Sequence, residues 1–232
     1  MLGDPSADVI YSSLEVLWMT LPEAAIAVPA IVPLLTHTNN RVRVEGTYAI
    51  GYLRPIPESA LGTLVTLLSD SEGTVRANAA RAIGLSAVRS EPIYASLEAR
   101  LGDAAAVARF RAAEALVRLY GPEATNRTAD LLEVLAEAER SDRCYFRLLG
   151  FNIRTALGEG EWSSEAANDT FRELLAHGTA YFRSEAMMGR AFRLKTRGTP
   201  APPAIRDLVV GAQEDVNGLI RHKATLLLSG EP

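Results

Sequence analysis

Residues 60–87, ALGTLVTLLSDSEGTVRANAARAIGLSA, read as two short helices joined by a polar turn. Leu61, Leu64, Val65, Leu67 and Leu68 give the first an apolar stripe at helical spacing. Asp70, Ser71, Glu72 and Gly73 interrupt it, and Val75, Ala79, Ala82 and Ile83 mark the buried stripe of the second. Neither helix can bury its apolar side alone, so the unit requires neighbours.

Arg76 serves as an anchor, with small Ala79 three residues on and Ala82 and Ile83 at plus six and plus seven. The same frame recurs at equal distances on either side, at Arg43 (Gly46, Ala49, Ile50) and at Arg109 (Ala112, Ala115, Leu116). Looser copies follow at Arg147 (Gly150, Ile153), Arg183 (Ala186, Gly189) and Arg221 (Ala224, Leu227), each interval longer than the first two. A fixed period of this kind marks a stack of helical pairs. The longer intervals place extra residues in the connecting loops.

This frame resembles the HEAT repeat family, most closely its short phycobilisome-lyase-type HEAT-like repeats. An Asp stands six residues before the anchor in three copies, as Asp70–Arg76, Asp103–Arg109 and Asp215–Arg221. The resemblance implies that these residues form a hydrogen-bonded ladder along the stack. His37, Ser141 and His177 occupy that position before Arg43, Arg147 and Arg183, where a ladder lacks its acid. The expected fold is all-α: a right-handed α-solenoid of about six HEAT-like helical pairs, forming one domain over residues 1–232. Residues 1–20 supply an N-terminal capping helix. The repeats fall at about 24–54, 58–88, 91–120, 126–158, 164–197 and 202–230.

The composition suits a folded helical protein, with 48% hydrophobic and 6% aromatic residues. A net charge of −4 argues against a strongly basic nucleic-acid binder, although a local patch is compatible with it. The single cysteine, Cys144, allows neither an intrachain disulfide nor a thiol metal cluster. Asp4 and Asp8 stand where a secretion signal carries basic residues, and no apolar run reaches the ~20 residues of a membrane span. A cytoplasmic location is the resulting expectation.

Shifting Arg43 back by one period lands on Ile10, with Ser13 in the small position, so residues 7–19 read as half a repeat. Pro29 and Pro33 predict a kinked or shortened helix beginning near Pro29. Residues 126–139 read as one amphipathic helix with Leu131, Leu132 and Leu135 inward. Trp18 reads as a packing residue of the cap. Trp162 sits in an acidic inserted loop, where it either folds back on the core or meets a partner.

Charge is divided unevenly between the two helices of a pair. The second-helix segments hold 17 of the 24 Lys and Arg and three of the 28 Asp and Glu. Helix dipoles and solvated faces produce such bias, as does an inner groove that attracts an anionic partner. Helical geometry sets plus two, plus five and plus nine away from the core. The candidate partner-binding residues on a concave groove are therefore Tyr48, Tyr52, Arg81, Arg111, Glu114, Arg118, Asn152, Met188 and Phe192. Aromatics and arginines are the usual anchors of interfaces. Arg154 and Arg190 occupy plus seven, where earlier copies are apolar. There the helices rotate, or the arginines meet carboxylates such as Glu185, or they open into a pocket.

No catalytic residue, metal site or cofactor is assigned. His37, His177 and His222 are far apart and form no HExxH motif, and no glycine-rich phosphate loop is present. HEAT-like deoxyhypusine hydroxylases need His-Glu iron ligands, and this chain has no His-Glu step. The expected function is a non-catalytic scaffold that binds an acidic protein or peptide segment. The alternatives are a phycobilin-lyase-like subunit and a HEAT-like nucleic-acid-binding protein related to DNA glycosylases.

Overall fold

The computed structural model describes residues 2–19, 26–51, 56–156, 203–215 and 218–229, with a few positions between 169 and 176. The described residues are helical with no strand, an all-α solenoid of stacked helical pairs. They fall into two compact units, Met1–Glu137 and Ala138–Pro232.

In unit 1, α1 (Ala7–Met19) packs on α3 (Asn40–Ile50), α3 on α5 (Gly73–Gly84), and α5 on α7 (Ala106–Tyr120). These four form a row of second helices. Their first-helix partners lie against them. The short α2 (Val28–Ile31) with a 3-10 turn (Val32–Thr36) packs on α3, α4 (Glu58–Leu67) on α5, and α6 (Glu91–Glu98) on α7.

Local chemistry explains these boundaries. Pro29 starts α2, and Pro33, which has no N–H to give, ends it after four residues and starts the tighter turn. Asn39 and Glu72 cap α3 and α5 by accepting from the Arg41 and Thr74 amides, and Ser90 caps α6 through the Ile93 amide. Gly121, at φ +58°, ends α7.

Most of the stripe read from the sequence is core, while Leu61 and Val65 at its edges are only half-buried. Leu64, Leu67, Leu68, Val75, Ala79, Ala82 and Ile83 are buried, as are Ile50, Leu97 and Leu116. The second helices are buried on more than one side. Ala77, Asn78, Ala80 and Arg81 of α5 are inaccessible along with its core stripe. The reason is close lateral packing: a Cβ on Gly84 would lie 2.7 Å from the Ala115 Cα. Only hydrogen fits there.

The segment after α7 differs from the single helix expected over residues 126–139. Two helices form, α8 (Pro122–Arg127) and α9 (Asp130–Glu139). Thr128 breaks the run in extended geometry, and its hydroxyl meets the Tyr94 hydroxyl at 2.8 Å and donates to Glu98 at 2.6 Å. Arg127 lies 3.7 Å from the Tyr94 ring centre, which fastens α8 to α6. Leu131 and Leu135 point inward as read, whereas Leu132 is exposed.

Unit 2 includes α10 (Cys144–Ala156), α11 (Pro203–Gly211), a 3-10 turn (Ala212–Glu214) and α12 (Gly218–Ser229). Tyr145, Leu148, Leu149 and Ile153 are the buried side of α10. α11 packs on α12 through a core that includes Val209, Ile220 and Ala224.

Candidate functional site

The anchor arginines make a repeated set of bonds at the turn between helices. In unit 1 each donates through one terminal nitrogen to the carbonyl six residues back: Arg43 to His37 at 2.9 Å, Arg76 to Asp70 at 2.8 Å and Arg109 to Asp103 at 2.7 Å. In unit 2 Arg147 binds the Ser141 carbonyl at 2.8 Å and Arg221 the Asp215 carbonyl at 2.6 Å. The anchor therefore staples its own turn.

For Arg43, Arg76, Arg109 and Arg147 the rest of the guanidinium reaches the next pair. Arg43 grips the Asp70 carboxylate with bonds of 2.8 and 2.9 Å, and Arg76 grips Asp103 with bonds of 2.7 and 2.6 Å. The ladder implied by Asp70, Arg76, Asp103 and Arg109 is thus an arginine of one pair on a carboxylate of the following one. Burial pushes the Asp70 and Asp103 carboxyls up, but the arginine bonds, with amide bonds from Glu72 and Ala105, hold both below the usual range.

Two rungs use residues that the six-residue spacing does not reveal. Arg109 bonds Glu137, and Arg147 bonds Glu173 at 2.8 Å. Each Glu lies ten residues before the next anchor, in the two copies whose minus-six residue is Ser141 or His177. The signal was present in the sequence. The residues ten before Arg43, Arg76 and Arg109 are Pro33, Thr66 and Ala99, none of them acidic. His37 needs no carboxylate, because the residue at the preceding anchor position is Ile10. His37 keeps the other task of its position: Nδ1 accepts the Asn39 amide at 3.0 Å, as Asp70 accepts that of Glu72.

The candidate groove residues lie at the seam between successive second helices. Asn78 at plus two donates to the Val44 carbonyl at 3.2 Å, and Arg81 at plus five donates to the Gly51 carbonyl at 3.2 Å. The Arg81 guanidinium also lies 5.7 Å from the ring centre of buried Tyr48. On α7, Arg111 donates to Glu114 at 2.6 Å, and Arg118 donates to its other oxygen at 2.9 and 3.2 Å.

Tyr48, Arg81, Arg111 and Glu114 are buried, so these four are not the open contact row that the helical turn suggested. The physical reason is the lateral packing at Gly84, which turns plus two and plus five toward the preceding helix. Arg118 retains 17% side-chain exposure. Asn152 stands on α10, and Tyr52, Met188, Phe192, Glu185, Arg190, Trp162 and His177 lie outside the described residues.

Glu114 is the most perturbed acid among the described residues. Burial pushes its carboxyl up, but Arg118 and then Arg111 outweigh it and bring it down to about 2. With Arg81 this side of α5 and α7 carries three guanidinium groups and one carboxylate.

Residues 28–117 match the HEAT-repeat family. The matched stretch spans α2 to α7, the part in which the anchor recurs at a constant interval. No curated protein sequence matches the chain. Among solved structures, the chain is similar to a designed armadillo repeat protein in complex with the peptide (KR)4, at 16% identity and a TM-score of 0.48, covering 100% of this chain and 96% of that one. An archaeal HEAT-like repeats protein from Thermococcus onnurineus NA1 is 16% identical, with a TM-score of 0.38 and coverage of 98% and 97%. An engineered protein is 18% identical at a TM-score of 0.47, and the chain spans 66% of its length.

Within the matched stretch, an open groove of about 510 Å³ lies along the turn edge, lined by Ser69, Asp70, Arg76, Arg100 and Asp103 among others. Its charges are those of the ladder together with Arg100, which lies 3.6 Å from the Asp103 carboxylate. Among the described residues, no group of His, Cys, Asp and Glu is arranged to hold a metal ion, and no helix is long and apolar enough to cross a membrane.

Proposed function

We propose that the chain is a non-catalytic scaffold, one repeat domain whose second-helix row holds an acidic protein or peptide segment. The observation that carries this reading is the clustering of Arg81, Arg111 and Arg118 on one side of α5 and α7. Arg81 and Arg111 are fixed by the seam, so they act as a standing positive field in a poorly solvated place. Arg118 is the member with access to solvent. Tyr52, Asn152, Met188 and Phe192 are further candidate contacts by their repeat positions in the sequence alone, and a cytoplasmic setting suits a chain with one cysteine.

The test is fluorescence anisotropy with a labelled Asp/Glu-rich peptide, a neutral peptide of the same length and a DNA oligonucleotide, each at several salt concentrations. The acidic peptide should bind best. Arg118→Glu should weaken it about tenfold, a loss of roughly 1.4 kcal/mol, with an unchanged circular dichroism spectrum. Equal binding of the neutral peptide, or wild-type affinity in R118E, would overturn the reading. Preference for DNA with a steep salt slope would replace it with a nucleic-acid function. The finer resemblance to phycobilisome-lyase-type repeats has its own assay: bilin incubated with an acceptor protein should remain uncoupled if the scaffold reading holds.

A further inference from the structure

The residues nine before the successive anchor arginines are Leu34, Leu67, Arg100, Ala138, Leu174 and Ala212. Leu34, Leu67, Ala138 and Ala212 are buried, as apolar side chains at the edge of a core should be. Arg100 is the charged member of the series, and its side chain keeps 28% exposure. The ladder does not call for it. The Arg43–Asp70 rung forms with Leu67 in this place, through bonds of 2.8 and 2.9 Å. Asp103 likewise receives bonds of 2.7 and 2.6 Å from Arg76 and a 2.9 Å bond from the Ala105 amide. Arg100 stands 3.6 Å from that carboxylate, beyond hydrogen-bond length, and this is its one ion pair among the described residues. A cation set where the neighbouring copy carries a buried leucine breaks a local rule of the fold, and such departures collect at functional places.

We propose that Arg100 is a carboxylate-binding residue, and that the open groove around it takes one Asp or Glu side chain of an extended acidic peptide. The site lies at the turn edge, apart from the second-helix row, and neither needs the other. Charge selects the ligand. Asp70 is matched by Arg43 and Asp103 by Arg76, and both acids are nearly inaccessible, at 9% and 3% exposure. One positive charge is left over, that of Arg100, and its planar fork suits a single carboxylate better than a phosphate dianion. Shape selects an extended segment. A groove of about 510 Å³ that is open to solvent does not enclose a small molecule, whereas a peptide strand can lay one side chain into it. Ala99, Gly102 and Ala104 in the lining are small, and Ser69 on the neighbouring turn adds an exposed hydroxyl.

Nuclear magnetic resonance of the full chain with isotope-labelled arginine tests this. The Nε–H signal of Arg100, assigned by its loss in Arg100→Leu, should shift saturably on titration with an Asp/Glu-rich peptide. It should stay in place with the Asn/Gln version of the same peptide. In fluorescence anisotropy R100L should bind the acidic peptide about tenfold more weakly than the wild type. Its melting temperature should equal or exceed the wild-type value, because leucine restores the pattern of the other copies. Should R100L melt earlier, Arg100→Gln, which removes the charge and keeps a polar group, gives the affinity readout. An unmoved Arg100 signal, or wild-type affinity in R100L and R100Q, overturns the site. An equal shift with inorganic phosphate or a DNA oligonucleotide overturns the choice of ligand. Weaker binding in R100L with wild-type affinity in R118E supports the edge site and removes the second-helix row; the reverse pattern does the opposite.

Discussion

The Glu114 carboxylate sits between Arg111 and Arg118 on a part of α7 that excludes solvent, and this placement sets its response to acid. Its pKa falls from 4.5 in the unfolded chain to about 2 in the fold. A depressed carboxyl contributes stability that is complete above the unfolded value and is lost as pH drops through the folded one. Urea midpoints should therefore fall between about pH 4.5 and 2, more steeply in the wild type than in Glu114→Gln. At neutral pH that substitution takes from Arg111 and Arg118 the carboxylate they share and should cost about 3 kcal/mol. Ala87 offers the opposite case. It holds φ +60°, a region that disfavours a Cβ. Ala87→Gly should raise stability by roughly 0.5 kcal/mol in the same urea assay, the relief of strain exceeding the added freedom of the unfolded chain. At this scale the sequence was only partly readable. The small residues at plus three had to be core, and those among the described residues are, but whether Arg81 faces a partner or a seam depends on the distance between neighbouring helices. No single-helix wheel contains that distance.

Between elements, two devices hold the pairs together: close lateral packing and the arginine ladder. Gly84→Ala places a methyl group against the Ala115 backbone, so α5 and α7 must separate, at a cost of about 1–3 kcal/mol. Gly62, in the middle of α4 with nothing within 4 Å of its would-be Cβ, is the control; Gly62→Ala should stabilise by roughly 0.5–1 kcal/mol. Thermal melts of the two variants should move in opposite directions. For the ladder, the Arg76→Ala and Asp103→Ala pair should couple by about 1–3 kcal/mol in a double-mutant cycle. The Asp103 carboxylate is nearly inaccessible and receives both arginine bonds. The even spacing of Arg43, Arg76 and Arg109 predicted the helices and their anchors, because small residues and an arginine must recur wherever pairs stack. It did not predict Glu137 and Glu173. Those side chains enter from an earlier helix, at a spacing that occurs only in the lengthened copies. The break at Thr128 was hidden for a related reason. Its cause is a contact with Tyr94, a full repeat away in the chain.

Across unit 1, burial is greatest in the second helices, and local stability should follow it. Hydrogen exchange followed by mass spectrometry should find the amides of α5 and α7 slowest, with α1 and α8 exchanging sooner, since each of these has fewer buried neighbours. Fast exchange throughout α7 would contradict the view that the seam is the most stable part of the unit. Fold class was legible because repetition averages over the irregularities of any one copy. Partner chemistry was less so, since the same positions that would face a groove in a loosely spaced stack become internal in a tight one.

The ladder has a consequence for how such a chain can lengthen. Each rung among the described residues joins an arginine of one pair to an acid of the next, so a block of one period, such as residues 76–108, carries one half of each kind. Tandem duplication of that block leaves no guanidinium or carboxylate stranded at either junction. Residues 10–42, bearing Ile10 and His37, would insert a pair with neither half. Growth by copying extends the ladder in the middle of this molecule, whereas at its beginning it lengthens the stack without adding a rung.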